Sequence, residues 1–267
     1  MIELDGIEKI YLSKTRDVHA IGNISTTIKE GEFVSIVGPS GCGKSTLLHL
    51  IAGFDEPTAG GVKIAGKPVN PGTVPSNLGY IFQKDTVLPW RSVRDNIGLG
   101  LQYRGMPRAD IDQKVAALLK LGNLQGFEDT FPHQLSGGMR RRVALLMTLA
   151  CEPQLLLLDE PFGALDTHTR TLLHKELINI WRQMRQTIIL VTHDLDEAVT
   201  LSDRIIVLSR PPSRILLDQH VTIPHPRDVF TVRDTPEFAE HFRTIWKVLG
   251  QEFRDAQQPA DLVGGLH

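Results

Sequence analysis

Residues 38 to 46 read Gly38-Pro39-Ser40-Gly41-Cys42-Gly43-Lys44-Ser45-Thr46. The glycines at 38, 41 and 43 let successive backbone N–H groups turn into one concavity, and no Cβ holds a polyphosphate away from them. Lys44 carries a point charge that can reach the β- and γ-phosphates, Ser45 offers a hard oxygen to Mg2+, and Thr46 adds a phosphate contact. An apolar run at 33–37 precedes this loop and another at 47–52 follows it. That is the strand, loop and helix order a phosphate cradle requires, with the positive end of the helix facing the anion. The ligand expected is a nucleoside triphosphate.

Hydrolysis of such a ligand needs acids beside it. Leu155-Leu156-Leu157-Leu158 is too short to cross a membrane and too apolar for a surface strand, so it reads as a buried parallel strand. Asp159 and Glu160 follow at its C-terminal end, the edge at which open α/β sheets bind ligands. Asp159 is read as holding Mg2+ through water and Glu160 as polarising the attacking water. His193 follows the apolar run 188–191, reaches the same edge and can face the γ-phosphate. Gln83 ends a strand at 78–82, where its amide can serve Mg2+ and water or be an ordinary solvated loop residue. Tyr11 ends an early strand and can stack on adenine or simply pack at a rim. Leu135-Ser136-Gly137-Gly138 stands before a helix, so Ser136 is a good N-cap and the glycines open a second anion site, although Ser-Gly-Gly is also an ordinary turn.

The elements that must position these residues follow from periodicity. Strands at 2–4, 9–12 and 24–28 alternate as a half-buried antiparallel sheet does, whereas 33–37 is apolar enough for a central parallel strand. Further strands are expected at 62–66, 78–82, 155–158, 188–191, 205–208 and 215–221. From 88 to 151 the pattern is helical, with helices at 93–103, 108–121 and 139–151. A helix over 167–184 buries one face, another amphipathic helix spans 236–249, and 257–267 reads as a frayed tail. The fold class is therefore α/β, a P-loop NTPase core with a mostly parallel sheet, an antiparallel β subdomain and an inserted helical subdomain.

A chain of 267 residues with 41% hydrophobic and 22% charged residues can bury a full core without staples. Its net charge of −2 gives no general attraction to nucleic acid or anionic lipid. Charged residues throughout the first thirty positions leave no apolar core for a signal peptide, and no stretch approaches a membrane span. The expectation is a cytosolic chain that forms no pore itself. Cys42 lies inside the phosphate loop, where a disulfide to Cys151 would distort the cradle, so both are expected as thiols.

Taken in order, Gly38 to Thr46, Gln83, Leu135-Ser136-Gly137-Gly138-Met139, Leu155 to Glu160, Ala164-Leu165-Asp166 and His193 resemble the ATP-binding cassette ATPases, over about residues 1–223. The resemblance implies a cassette domain over 1–223 with its helical insert at about 88–151, and a C-terminal helical extension and tail over 224–267. It implies a head-to-tail homodimer sandwiching two ATP molecules, each held by one subunit's P-loop and the other's Ser136-Gly137-Gly138. It makes Tyr11 the adenine-stacking aromatic, Gln83 the Mg2+ ligand that senses the permease, Asp166 the coupler of the two sites and His193 the γ-phosphate switch. Leu88-Pro89-Trp90, Pro161 to Asp166 and Thr235-Pro236-Glu237-Phe238 resemble the nitrate, sulfonate and taurine importer branch. That branch implies a peripheral subunit on the cytoplasmic face of the inner membrane, working with two transmembrane permease subunits and an extracytoplasmic solute-binding protein. The alternative is a soluble cassette acting on nucleic acid or ribosomes, which the near-neutral charge disfavours. Met147-Thr148-Leu149 stands where such cassettes usually read Arg-Ala-Leu, and Arg141 where Gln is usual. Met147 cannot act as a charged donor, so it is expected buried among apolar neighbours.

Overall fold

The computed structural model describes residues 1–84, 86–163 and 165–255; Ala164 of the resemblance and the expected tail at 257–267 lie outside them. In chain order the strands are β1 (Ile2–Tyr11), β2 (Val18–Ile28), β3 (Phe33–Val37), β4 (Ala59–Ile64), β5 (Lys67–Pro68), β6 (Leu78–Ile81), β7 (Leu155–Asp159), β8 (Thr187–Val191), β9 (Arg204–Leu208) and β10 (Ile215–His220). The helices are α1 (Lys44–Ala52), α2 (Val93–Ile97), α3 (Leu99–Tyr103), α4 (Arg108–Leu121), α5 (Gly137–Ala150), α6 (Thr167–Met184), α7 (Leu195–Leu201) and α8 (Pro236–Asp255).

Two sheets form. The smaller runs β2-β1-β4-β5 and is antiparallel; the larger runs β10-β9-β3-β8-β7-β6 and is parallel except for β10 at its edge. β3, β7, β8 and β9 are buried at every residue, because both faces of the parallel sheet are covered and period-2 alternation then disappears from the sequence. On one face Val34, Ile36, Leu157 and Ile189 pack with Ile7 and Ile24 of the small sheet and Leu48 and Ile51 of α1. On the other, Phe33, Leu156, Leu158 and Leu190 pack with Leu173, Leu177 and Trp181 of α6. β10 alternates between half-buried and exposed residues, as an edge strand with one wet face does. Helices α2 to α5 share a separate apolar cluster, with Val93, Ile97, Val115, Leu119 and Val143 at its centre.

Several elements differ from the pattern reading. The strands expected at 2–4 and 9–12 are one strand, β1, whose register shifts around Gly6, at φ 57°. A local twist there absorbs the irregularity without ending the pairing. The helix expected at 93–103 is two, separated at Gly98, where a Cβ would stand 2.9 Å from Ile111 Cγ2. α7 is too short for a 3.6-residue period to register, and its buried face includes Glu197 and Thr200. Cys42 and Cys151 are both free thiols, as expected. Among the described residues no helix is long and apolar enough to cross a membrane.

α8 runs six residues past the expected end at 249. It is fastened by Phe238, Ile245 and Leu249, which pack with Ile205 and Val207 of β9 and with α7. Buried His241 adds a polar lock: its Nε2 accepts from Thr222 N–H at 3.1 Å, and its Nδ1 lies 2.7 Å from the Gln219 side-chain amide. Burial pushes its pKa below the usual histidine value. The neutral ring is therefore the folded form, and its contribution is present above the unfolded pKa of about 6.5 and lost as pH falls through the folded pKa. Replacing His241 with Leu removes the acceptor of Thr222 N–H, a bond that water at the exposed Thr222 can partly replace, so a loss of about 0.5–1.5 kcal/mol is expected. Denaturant melts from pH 7.5 to 5 should show a wild-type stability that falls with pH and a variant whose dependence is flatter.

Candidate functional site

The strand order β3-β8-β7-β6 sets four C-terminal strand ends side by side. Gly38, His193, Glu160 and Gln83 follow those ends in that order, although the chain reaches them in another. Parallel strands leave all four loops on one edge.

At the first of these ends β3 passes into α1 through the glycine loop. Gly43, at φ 97°, caps α1 with no side-chain partner for the helix's first amides, which leaves them free to bind an anion. Gly38 has no room for a Cβ, which would lie 2.9 Å from both Cys42 Sγ and Leu208 O. Lys44 is 5% exposed, and its Nζ donates to the carbonyls of Gly38 and Pro39, each at 2.9 Å. The ammonium is thus folded over the loop's own carbonyls. Ser40, Gly41 and Ser45 are exposed, Thr46 half-buried and Cys42 fully buried. Burial raises the Cys42 thiol pKa, with Lys44 opposing it, so the thiol is inert packing inside the cradle.

Ser45 Oγ donates to Asp159 Oδ1 at 2.9 Å, and Tyr80 OH reaches Asp159 Oδ2 at 3.4 Å. Burial raises the Asp159 pKa; Ser45 and His49 oppose the rise and Glu160 adds to it. A cation beside it would relieve that cost. Two hard oxygens completed by water and phosphate suit Mg2+, which is commonly held by one or two carboxylates plus substrate. Among the described residues no group of three or more His, Cys, Asp or Glu side chains could hold a metal by itself.

Glu160 adopts φ 44°, and its N–H donates to Val191 O at 2.9 Å. This left-handed turn swings the side chain back over the sheet edge. Glu160 Oε2 accepts from Gln83 Nε2 at 3.2 Å and stands 3.3 Å from His193 Nδ1. The Gln83 amide, read from sequence as serving metal and water, instead gives its NH2 to Glu160 here. A carboxylate held by an amide and an imidazole at a water-accessible edge is placed to orient and deprotonate water.

Ser136 caps α5 by accepting from Met139 N–H at 3.2 Å. Among the described residues no hydrogen bond or ion pair joins 135–139 to the glycine loop. Gly138 instead lies against Thr169, leaving no room for a Cβ, and Asp166 caps α6 by accepting from Thr169 N–H at 3.0 Å. That bond lowers the Asp166 pKa. Ser136, Gly137 and Asp166 are all exposed. Tyr11 is 38% exposed, its OH donates to Asp55 Oδ2 at 2.9 Å, and Lys9 Nζ sits 4.8 Å from the ring centroid while bonding Asp55 Oδ1 at 2.7 Å. The ring is thereby fixed, with its hydroxyl beside the Thr46 side chain of the glycine loop.

Pattern reading missed the support behind the edge. Arg170 donates to Leu165 O and to Asp194 Oδ2, each at 3.0 Å, and its Nε lies 3.7 Å from Glu197 Oε1. Glu197 in turn accepts from Thr192 Oγ1 at 2.6 Å. One guanidinium therefore ties the Asp166 loop to the His193 loop. Only Arg170's position four residues after Asp166 could have pointed to it. Met147 is half-buried rather than buried, packed on the apolar cluster of α2 to α5, because its turn of α5 faces the rim of that cluster. Arg141, in contrast, is buried and donates from Nε to Pro161 O at 2.5 Å.

Comparison with known proteins agrees with this geometry. A family model described as ABC transporter matches residues 21–163. An aliphatic sulfonates import ATP-binding protein of Bacillus cereus is 41% identical over 94% of this chain and 95% of its own length. A nitrate import ATP-binding protein of Synechocystis is 37% identical over 96% of this chain and 98% of its own. Among solved structures, a dimeric ATP-binding cassette in a post-hydrolysis state with ADP and phosphate superposes with TM-score 0.75 at 31% identity, covering 84% of this chain and all of that one.

Proposed function

This chain belongs to the ABC transporter ATPases, and from that premise we propose that it is the energy-coupling subunit of an importer for a small oxyanion of the sulfonate or nitrate type. Taurine is itself an aminosulfonate and falls within that class. Both relatives named above for import match nearly their whole length. The chain would act at the cytoplasmic face of the membrane beneath two permease subunits, which receive solute from an extracytoplasmic binding protein.

The observation that carries the mechanism is the division of the site. Lys44, Ser45, Asp159, Glu160, Gln83 and His193 gather at one sheet edge, while Ser136 and Gly137 stand exposed and, among the described residues, share no hydrogen bond or ion pair with it; Asp166 is exposed too, on a loop that Arg170 holds beside the His193 loop. One chain thus holds half of each group that would surround ATP, and a homodimer arranged head to tail completes both halves. Within it Tyr11 stacks on adenine, the loop from Gly38 to Thr46 cradles the phosphates, and Lys44 exchanges its carbonyl partners for phosphate oxygens. Ser45, Asp159 and Gln83 are the groups that would hold Mg2+, which when bound supplies charge neutralisation on the β- and γ-oxygens. Glu160 takes the proton of the attacking water, His193 steadies Glu160 and faces the γ-phosphate, and Asp166 couples the two sites.

Ser136→Ala tests the divided site. Nucleotide binding to the monomer is expected to stay within about twofold, while the loss of an N-cap costs α5 about 1 kcal/mol and ATP-driven dimerisation falls. Titration with a fluorescent ATP analogue and sedimentation on the same sample separate the two effects. Equal loss of both would count against the division. Affinity purification from detergent-solubilised membranes tests the importer role: recovery of a stoichiometric pair of polytopic proteins is expected, and recovery of ribosomes or nucleic acid instead would overturn it.

A further inference from the structure

A cleft of about 610 Å3 opens on the outer side of the phosphate loop. Pro39, Ser40 and His193 form one wall, and Trp246, Leu249 and Phe253 of α8 form the other. The second wall belongs to an aromatic ridge: Phe238, Phe242 and Trp246 follow at four-residue spacing, with ring centroids 6.3 and 6.4 Å apart and planes inclined by 22° and 16°. The ridge begins in the core, where Phe238 is 5% exposed, and ends in water, with Trp246 56% and Phe253 42% exposed. Its position is set by the rest of the fold, since Arg210 N–H donates to Glu252 at 3.0 Å in the last turns of α8. Scattered exposed apolar residues are ordinary. Two aromatics sharing one rigid wall opposite a nucleotide loop have the composition of an interface core.

We infer that the Trp246–Phe253 face of α8 is a docking surface for a second copy of this chain, engaged when ATP joins the two. The inference rests on the two-chain site described above. Continuity identifies the occupant: a second chain that brings its Ser136-Gly137-Gly138 to the phosphates must cover the glycine loop, and whatever covers Pro39 and Ser40 meets Trp246 across the same cleft. A two-fold axis repeats the contact, so each dimer carries it twice. The cleft wall therefore adds to the affinity of the dimer without touching nucleotide.

Sedimentation of the full chain carrying Glu160→Gln, with and without ATP, reads the dimer. That variant alone is expected to dimerise on ATP; if it binds ATP and stays monomeric, the two-chain reading falls and the docking surface with it. Adding Trp246→Ser and Phe253→Ser is expected to weaken dimerisation by about 10²-fold or more, since the aromatic pair on each chain together contributes at least about tenfold and the dimer carries the pair twice, while monomer nucleotide affinity is kept. Undiminished dimerisation with the parent variant intact overturns the docking surface alone. A second measurement uses the native wall. In Glu160→Gln with Trp90→Phe, the remaining tryptophans are Trp246 and Trp181, the latter 3% exposed, so acrylamide quenching reports on Trp246. ATP should shield it only at protein concentrations where the dimer forms. No shielding, or shielding in the monomer by residues 256–267 of the same chain, overturns the inference.

Discussion

Glu160→Gln is expected to lower ATP hydrolysis by about 10²–10⁴-fold, the range for loss of a general base, while ATP binding and folding persist. The replacement is nearly isosteric. Its amide oxygen can still accept from Gln83 Nε2, at 3.2 Å in the native chain, and from the His193 ring at 3.3 Å, so the edge keeps its shape. What disappears is the ability to take a proton from water and the repulsion between a carboxylate and the γ-phosphate. Because hydrolysis is what separates the subunits in the proposed cycle, the variant should accumulate as a dimer with ATP at both interfaces. Size-exclusion chromatography with nucleotide measured in each peak checks this. Turnover at the parent rate would remove Glu160 from the role of base, and an inactive monomer would count against release by hydrolysis alone.

Lys44→Ala should bring hydrolysis below detection and weaken ATP binding about 10- to 100-fold. A charge-assisted hydrogen bond contributes roughly 1.5–3 kcal/mol, and loss of an electrostatic donor at the transferring group costs a further 10²–10³ or so in rate. The side chain is 5% exposed and donates to the Gly38 and Pro39 carbonyls. Its removal therefore also unpairs two carbonyls, and a modest loss of thermal stability should accompany the loss of activity. Lys44→Arg separates the two contributions: it keeps charge but not shape, so partial recovery of binding without recovery of hydrolysis is expected. Near-normal turnover in Lys44→Ala would sink the assignment of the loop.

The elements legible in advance were those whose burial is complete or strictly one-sided. β7 and β8 announce themselves as uninterrupted apolar runs because helices cover one face of their sheet and the antiparallel layer the other. α5 was visible through Ser136, whose N-cap bond to Met139 forms as its position before two glycines implies. Less legible were the continuity of β1 through Gly6, the division of α2 from α3 at Gly98 and the short α7, where tertiary packing overrides local pattern. Met147 exemplifies the limit: its apolar character placed it against apolar neighbours, but how deep it sits depends on which way one turn of α5 faces.

By itself the sequence determined the chemistry. A glycine loop before a lysine and a hydroxyl, and two acids after an apolar strand, are local arrangements, governed by backbone sterics and hydrogen bonds within a few residues, so their meaning survives without a fold. The tertiary structure decided which of these groups meet. Gln83 and Glu160 lie 77 residues apart in the chain and bond because β6 and β7 are neighbours, and His193 joins them because β8 lies on the other side of β7. Arg170 spans the Asp166 and His193 loops only because α6 and α7 pack together. The same holds for α8, whose Trp246 stands across a cleft from Pro39. No local periodicity encodes that distance, because it is set by strand order and by the shape of the core on which the helix rests.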